Sequence, residues 1–112
     1  MKAIFKGTVI AESSDLEMVD GNPYFPRAAM RAEYFRDSSL TTVCGWKGTA
    51  RYWDVVVDGE VLRDVVWSYE TPKPAAEAIR ERFAFYRGKG VELVLEATDW
   101  QPEELVIGTP GR

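Results

Sequence analysis

Histidine is absent from the chain, and cysteine occurs once, at Cys44. The first absence removes Ser-His-Asp and Cys-His catalysis, imidazole acid–base chemistry and histidine-ligated zinc or iron. The second removes any intrachain disulfide and any zinc site built from paired Cys-x-x-Cys elements. Positive charge is also scarce: 14 Lys and Arg stand against 18 Asp and Glu, a net charge of −4. That balance opposes general nucleic-acid binding, whose affinity comes from Lys and Arg neutralising phosphates. No apolar run approaches the roughly 20 residues of a membrane span, and the opening Met1–Lys6 has no signal-peptide core. A cytoplasmic protein with no nucleic-acid partner, no membrane partner, no metal and no cofactor is therefore expected. Any catalysis falls to carboxylates, lysine, tyrosine or the single thiol.

What is present suits one domain. The 112 residues match the length that a single core serves, and 46% hydrophobic content supplies that core without a disorder signature. Residues 1–97 read as one β-rich domain and 98–112, with its prolines and glycines, as an extension packed on it or partly flexible.

Along the chain, Ala3–Ala11 is rich in β-branched and aromatic side chains and predicts a strand, followed by a Glu12–Asp15 turn and a strand over Leu16–Val19. Asp20-Gly21-Asn22-Pro23 is dense turn chemistry. Pro26 can open a helical turn over Arg27–Met30; Arg31–Phe35 either extends that helix or, the favoured reading, is a strand, and Asp37–Thr41 reads as a polar loop. Thr49–Val57 alternates, with Ala50, Tyr52, Asp54 and Val56 on one face and Arg51, Trp53, Val55 and Val57 on the other. Asp58-Gly59 follows directly and is a strong hairpin signal, with Glu60–Arg63 as the return arm and Val65–Tyr69 as a further strand. Pro72-Lys73-Pro74 opposes a ladder, and Ala76, Ile79 and Phe83 recur at helical spacing, which predicts one short α-helix near 75–82. Phe83–Tyr86 and Val91–Glu96 read as strands about the Gly88-Lys89-Gly90 turn. The sum is a mainly β fold.

An aromatic-basic-Gly triplet occurs at Phe5-Lys6-Gly7, Trp46-Lys47-Gly48 and Tyr86-Arg87-Gly88. Their spacing of about 40 residues is in the range of repeats, but the segments between them do not match, so duplication is the lesser reading.

Two constellations carry chemistry. Thr42–Thr49 gathers a thiol, an indole, an amine and two glycines in a turn before a strand. Lys47 can lower the pKa of Cys44 and leave a reactive thiolate. The plainer reading weighs more: a small buried hydrophobe at Cys44, turn glycines at 45 and 48, and a core indole at Trp46. Lys47-Gly48-Thr49 is no phosphate loop, because there the glycine precedes the lysine. Asp54, Asp58 and Glu60 straddle a hairpin tip and read as solvated turn residues rather than a two-metal site. The second constellation is aromatic: Tyr24, Trp46, Tyr52, Trp67 and Tyr69 lie on or beside predicted strands, with Lys47, Arg31, Glu33 and Asp54 as polar groups able to converge on a pocket.

Asn22, Tyr24-Phe25-Pro26, Thr42, Cys44-Gly45-Trp46-Lys47-Gly48, Ala50, Tyr52, Trp67, Tyr69, Pro72, Ala76, Ile79 and Phe83–Phe85 together resemble the domain of unknown function 427 family, over about Met1–Leu95. Members are sometimes labelled nucleotidyltransferase-like, a mechanism that none of these residues supports. The family motif usually reads Cys-Pro-Trp-Lys-Gly; Gly45 in place of the proline loosens the turn. The resemblance implies a fold similar to the β-tent of methionine sulfoxide reductase B and the ligand-binding domain of cereblon, with two antiparallel sheets meeting at an angle and any ligand between aromatic walls. It implies no zinc here, since the paired cysteines are missing.

The combined expectation is a domain that binds, with or without turnover, a small polar or aromatic ligand. Trp46, Trp67 and Tyr52 serve as stacking walls, Tyr24, Arg31 and Tyr69 as further lining, Lys47 as the anion or hydrogen-bond partner, and Cys44 as pocket floor or nucleophile. The rival is a non-catalytic interaction module whose sheet edge pairs with a second copy as a homodimer. Thiol redox sensing is a third reading; it needs an exposed Cys44 and an intermolecular disulfide.

Overall fold

The computed structural model describes residues 1–95. Nine strands are present among the described residues: β1 Lys2–Phe5, β2 Thr8–Glu12, β3 Glu17–Val19, β4 Asn22–Tyr24, β5 Phe35–Cys44, β6 Gly48–Val57, β7 Glu60–Ser68, β8 Phe83–Phe85 and β9 Glu92–Val94. The mainly β expectation is met. All pairings between these strands are antiparallel, and they form three sheets rather than two: β2-β1-β9, the ribbon β3-β4, and β5-β6-β7-β8. Among the described residues no helix is long and apolar enough to cross a membrane. The proposed extension over 98–112, Trp100 included, lies outside the described residues.

The four-stranded sheet is the frame. Its central hairpin, β6-β7, turns at Asp58-Gly59, whose φ angles of 50° and 78° are the left-handed pair that a tight two-residue turn requires. Alternation along β6 sends side chains to two faces, and both are buried. Trp53, Val55 and Val57 join Val66, Phe83 and Phe85 in a core shared with Ala3, Phe5, Ile10 and Phe25. Ala50 and Tyr52 face the other way and join Trp67, Tyr69 and Ala84, roofed by Tyr24, Ala76 and Ile79. Alanines at 50, 76 and 84 leave room for the large rings between them. Reciprocal backbone hydrogen bonds of 2.8 Å between Phe25 and Phe83 tie the β3-β4 ribbon to the sheet.

Several local expectations are corrected. Ala3–Ala11 is two strands rather than one, because Lys6 and Gly7 take φ angles of 53° and 74° and reverse the chain. The three aromatic-basic-Gly triplets each end a strand or enter one at a positive-φ glycine, so their likeness is turn chemistry. Arg31–Phe35 is not a strand: Ala32–Tyr34 is a 3-10 turn. Asp37–Thr41 is not a loop but the middle of β5, where the pairing register with β6 shifts. The α-helix near 75–82 is a 3-10 helix, Pro74–Ile79, broken at Ala76 with φ −115° and ψ 23°. Asp54 is not a solvated turn residue. It is 5% exposed, accepts hydrogen bonds from Arg36 Nη2 at 3.0 Å and the Asp64 amide at 2.9 Å, and so supports the kink where Asp64 takes φ 57°.

Candidate functional site

The β5-β6 turn, Cys44–Gly48, carries the densest chemistry, and its shape follows from three contacts. Gly48 has φ 112°, a backbone conformation that favours glycine, and it packs against Pro72 and Lys73, where a Cβ would be in ordinary van der Waals contact at 3.5–3.6 Å. The Lys47 carbonyl accepts the Lys73 amide at 3.0 Å, and Lys73 Nζ donates to the Gly45 carbonyl at 2.6 Å. The Pro72-Lys73-Pro74 segment thus braces the turn from outside the hairpin.

Braced this way, Lys47 directs its side chain over the second core. Its Nζ lies 5.4 Å from the centre of the Trp46 ring and 5.7 Å from that of Tyr69, and donates to Asp20 Oδ2 at 2.7 Å. Residue 47 is only 9% exposed. Burial works against its charge, yet the hydrogen bond to Asp20 and the surrounding tyrosine and aspartate charges outweigh it, so its pKa stands above the ordinary lysine value. Asp20 is brought in by the β3-β4 turn, where Asp20 and Gly21 take φ angles of 54° and 78°. Its side chain is half exposed, unlike that of its partner.

The tyrosines around the amine differ in how they are satisfied. Tyr24 OH accepts the Trp67 indole N–H at 3.1 Å, and the two rings meet edge to face. Tyr52 OH and Thr42 Oγ1 share a hydrogen bond of 3.0 Å. Tyr69 is 5% exposed, and its hydroxyl makes no hydrogen bond to another described residue and is open to water. Burial pushes its phenol up to about 12, against the downward pull of Lys47, so it is held as a neutral donor. Cys44 is partly buried against the same cluster. Its thiol pKa is lowered first by the backbone N–H groups of Lys47 and Trp46, with the Lys47 ammonium a smaller contribution. Turn geometry therefore tunes this thiol more than the neighbouring charge that the sequence points to.

Six of the expected residues gather here with Lys47: Cys44, Tyr24, Trp46, Tyr52, Trp67 and Tyr69 surround one patch of sheet. Their parts differ from the expected ones. Trp46 is 44% exposed and is the open wall. Trp67 is buried beneath Tyr86, ring centres 4.8 Å apart, and Tyr52 stacks on Tyr86 at 6.5 Å, so both are floor rather than wall. Arg31 lies elsewhere, donating to the Val9 carbonyl at 3.1 Å and pairing with Glu12 beside β2. Glu33 lies in the Ala32–Tyr34 turn, and Asp54 accepts the Asp64 amide, so neither is part of this patch. Asp20 and Lys73 were not among the expected residues; the sequence showed them only as turn and proline-flanked positions. Two clefts also mark the surface, one of about 820 Å³ along Arg36–Thr41 and one of about 260 Å³ between Arg27, Phe35, Trp53 and Phe83, and neither is lined by Cys44, Trp46 or Lys47.

Among the described residues no three His, Cys, Asp or Glu side chains gather where they could hold a metal ion. The patch can instead offer an ammonium, a neutral phenol donor, an indole face and a thiol. No curated protein matches the chain. A family model does, over residues 1–97, and the protein therefore belongs to the family described as Domain of unknown function (DUF427).

Proposed function

We propose that this domain, acting in the cytoplasm, binds a small polar or aromatic ligand at the Trp46–Lys47 turn. The observation that carries the reading is Lys47: a nearly buried ammonium between two aromatic faces whose only ion-pair partner among the described residues is a half-exposed carboxylate from another turn. An exposed lysine needs no such setting, since surface ion pairs contribute little stability. In this reading a planar group lies on Trp46, a polar group meets Lys47 Nζ and the free Tyr69 hydroxyl, and Cys44 closes the floor. Titration of tryptophan fluorescence with benzoate and with benzamide tests it. At least one probe gives a saturable change in the native chain that Lys47→Ala weakens; an identical response in the variant contradicts the assignment.

A second reading rests on β5. This ten-residue strand forms an edge of the four-stranded sheet, most of its residues are exposed, and Val43 is among the most exposed apolar side chains. Edge pairing with a second copy through Thr41–Cys44 would make the protein a homodimeric interaction module. Dilution in size-exclusion chromatography separates the readings: a dimer that dissociates, and that Val43→Lys abolishes, favours the edge.

A further inference from the structure

We propose that the ligand carries a carboxylate, and that Asp20 is the built-in occupant which that carboxylate displaces. The inference rests on the binding reading above and specifies its chemistry. Lys47 Nζ holds Asp20 Oδ2 at 2.7 Å, so the position in front of the ammonium is already shaped for a carboxylate oxygen. The two carboxylate-facing elements are unequal. Lys47 is fixed by the braced turn and by the Trp46 and Tyr69 rings, whereas Asp20 sits on a two-residue turn with its side chain half in water. Released from Lys47, Asp20 therefore regains hydration at little cost, while Lys47 without a partner keeps its charge in a largely desolvated place. The ammonium needs an anion, and this particular anion is replaceable.

A second observation points the same way. The Tyr69 hydroxyl donates to no other described residue, and Lys47 Nζ lies 5.7 Å from the centre of the Tyr69 ring. A ligand carboxylate with one oxygen on Lys47 and the other on Tyr69 uses both donors, which Asp20, held from its own turn, does not. The exposed Trp46 face beside the ammonium then accepts a planar ring attached to that carboxylate.

The test compares benzoate with its neutral isostere benzamide, by calorimetry or by shifts of the backbone amides of residues 45–48, in the native chain and in Asp20→Asn. That substitution touches a half-exposed side chain and leaves the core in place. Benzoate is expected to bind more tightly than benzamide, and Asp20→Asn to raise benzoate affinity about fivefold, the range that one surface carboxylate competitor supports, and to raise benzamide affinity less. Tyr69→Phe lowers benzoate affinity and provides a variant without loss of charge. Equal binding of the two probes, unaffected by Asp20→Asn, overturns the carboxylate inference and leaves the site itself standing. Failure of both probes to bind in either protein overturns both.

Discussion

Replacing Tyr69 by phenylalanine removes one hydroxyl and with it a specific alkaline transition. In the folded protein burial pushes this phenol up to about 12, from the ordinary value of 10.0. The fold therefore favours the protonated phenol, and the corresponding stability is complete below pH 10 and lost as pH rises from 10 through 12. The difference of 12 − 10 units, at 1.36 kcal/mol each, sets an upper bound of about 2.7 kcal/mol. Solvent reaching the hydroxyl lowers that to on the order of 2 kcal/mol. Urea denaturation at pH 9 and pH 12 measures the loss directly. The native chain is expected to lose about 2 kcal/mol more over that interval than Tyr69→Phe, in which Lys47, Tyr24 and Tyr52 still titrate. Phenolate absorbance at 295 nm gives an independent reading: the step missing from the Tyr69→Phe curve is the highest one. Equal pH dependence in the two proteins, or a missing step near pH 10, refutes the picture of Tyr69 as a phenol that the fold holds neutral.

Other outcomes follow from the same geometry. Tyr24→Phe leaves the buried Trp67 indole N–H without its acceptor and is expected to cost about 1–3 kcal/mol in chemical denaturation; a loss below 0.5 kcal/mol would mean that the pair adds nothing (about the scatter of neutral surface changes). Alkylation of Cys44 by iodoacetamide is expected to titrate below the free-cysteine value, and Lys47→Ala to move that midpoint only slightly, because the backbone amides of Lys47 and Trp46 are the larger cause. A return to the free-cysteine value in Lys47→Ala would transfer the effect to the ammonium. Gly45→Ala meets no atom within 4 Å and lies outside the left-handed region, so it is expected to stabilise by roughly 0.4–1 kcal/mol. Gly48→Ala, which places a side chain at φ 112°, is expected to destabilise by about 1–3 kcal/mol; thermal melts of the pair check both signs.

The sequence exposed some of this fold clearly and hid other parts for physical reasons. The β6-β7 hairpin was legible because strict alternation meets an Asp-Gly turn, two signals that agree. β5 was not, because an edge strand with water on much of its surface carries no hydrophobic alternation, and Asp37–Thr41 then looks like a loop. Ala76, Ile79 and Phe83 mimic a helical stripe over two turns, but flanking prolines and the break at Ala76 leave a 3-10 segment that buries only Ala76 and Ile79. At the site, the Cys44–Tyr52 stretch and the aromatics were visible as residue types. What joins them was not: Asp20 reaches Lys47 across 27 positions, and Lys73 clasps Gly45 across 28. Such pairings are set by how the ribbon and the proline-flanked segment fold over the sheet, which no local pattern records. Arg31 was misplaced for the same reason: the bridge between Met30 and Ala11 and the hydrogen bond from its amide to the Ile10 carbonyl hold it beside β2 rather than at the aromatic patch.

Crystals of the protein soaked with 4-bromobenzoate, read by the anomalous signal of bromine, interrogate the Lys47 site most directly. The expected result is a single bromine over the Trp46 ring with the probe's carboxylate on Lys47 Nζ and Asp20 swung into solvent. Bromine in the Arg36–Thr41 cleft or between Phe35 and Trp53, with the Lys47–Asp20 pair intact, contradicts it.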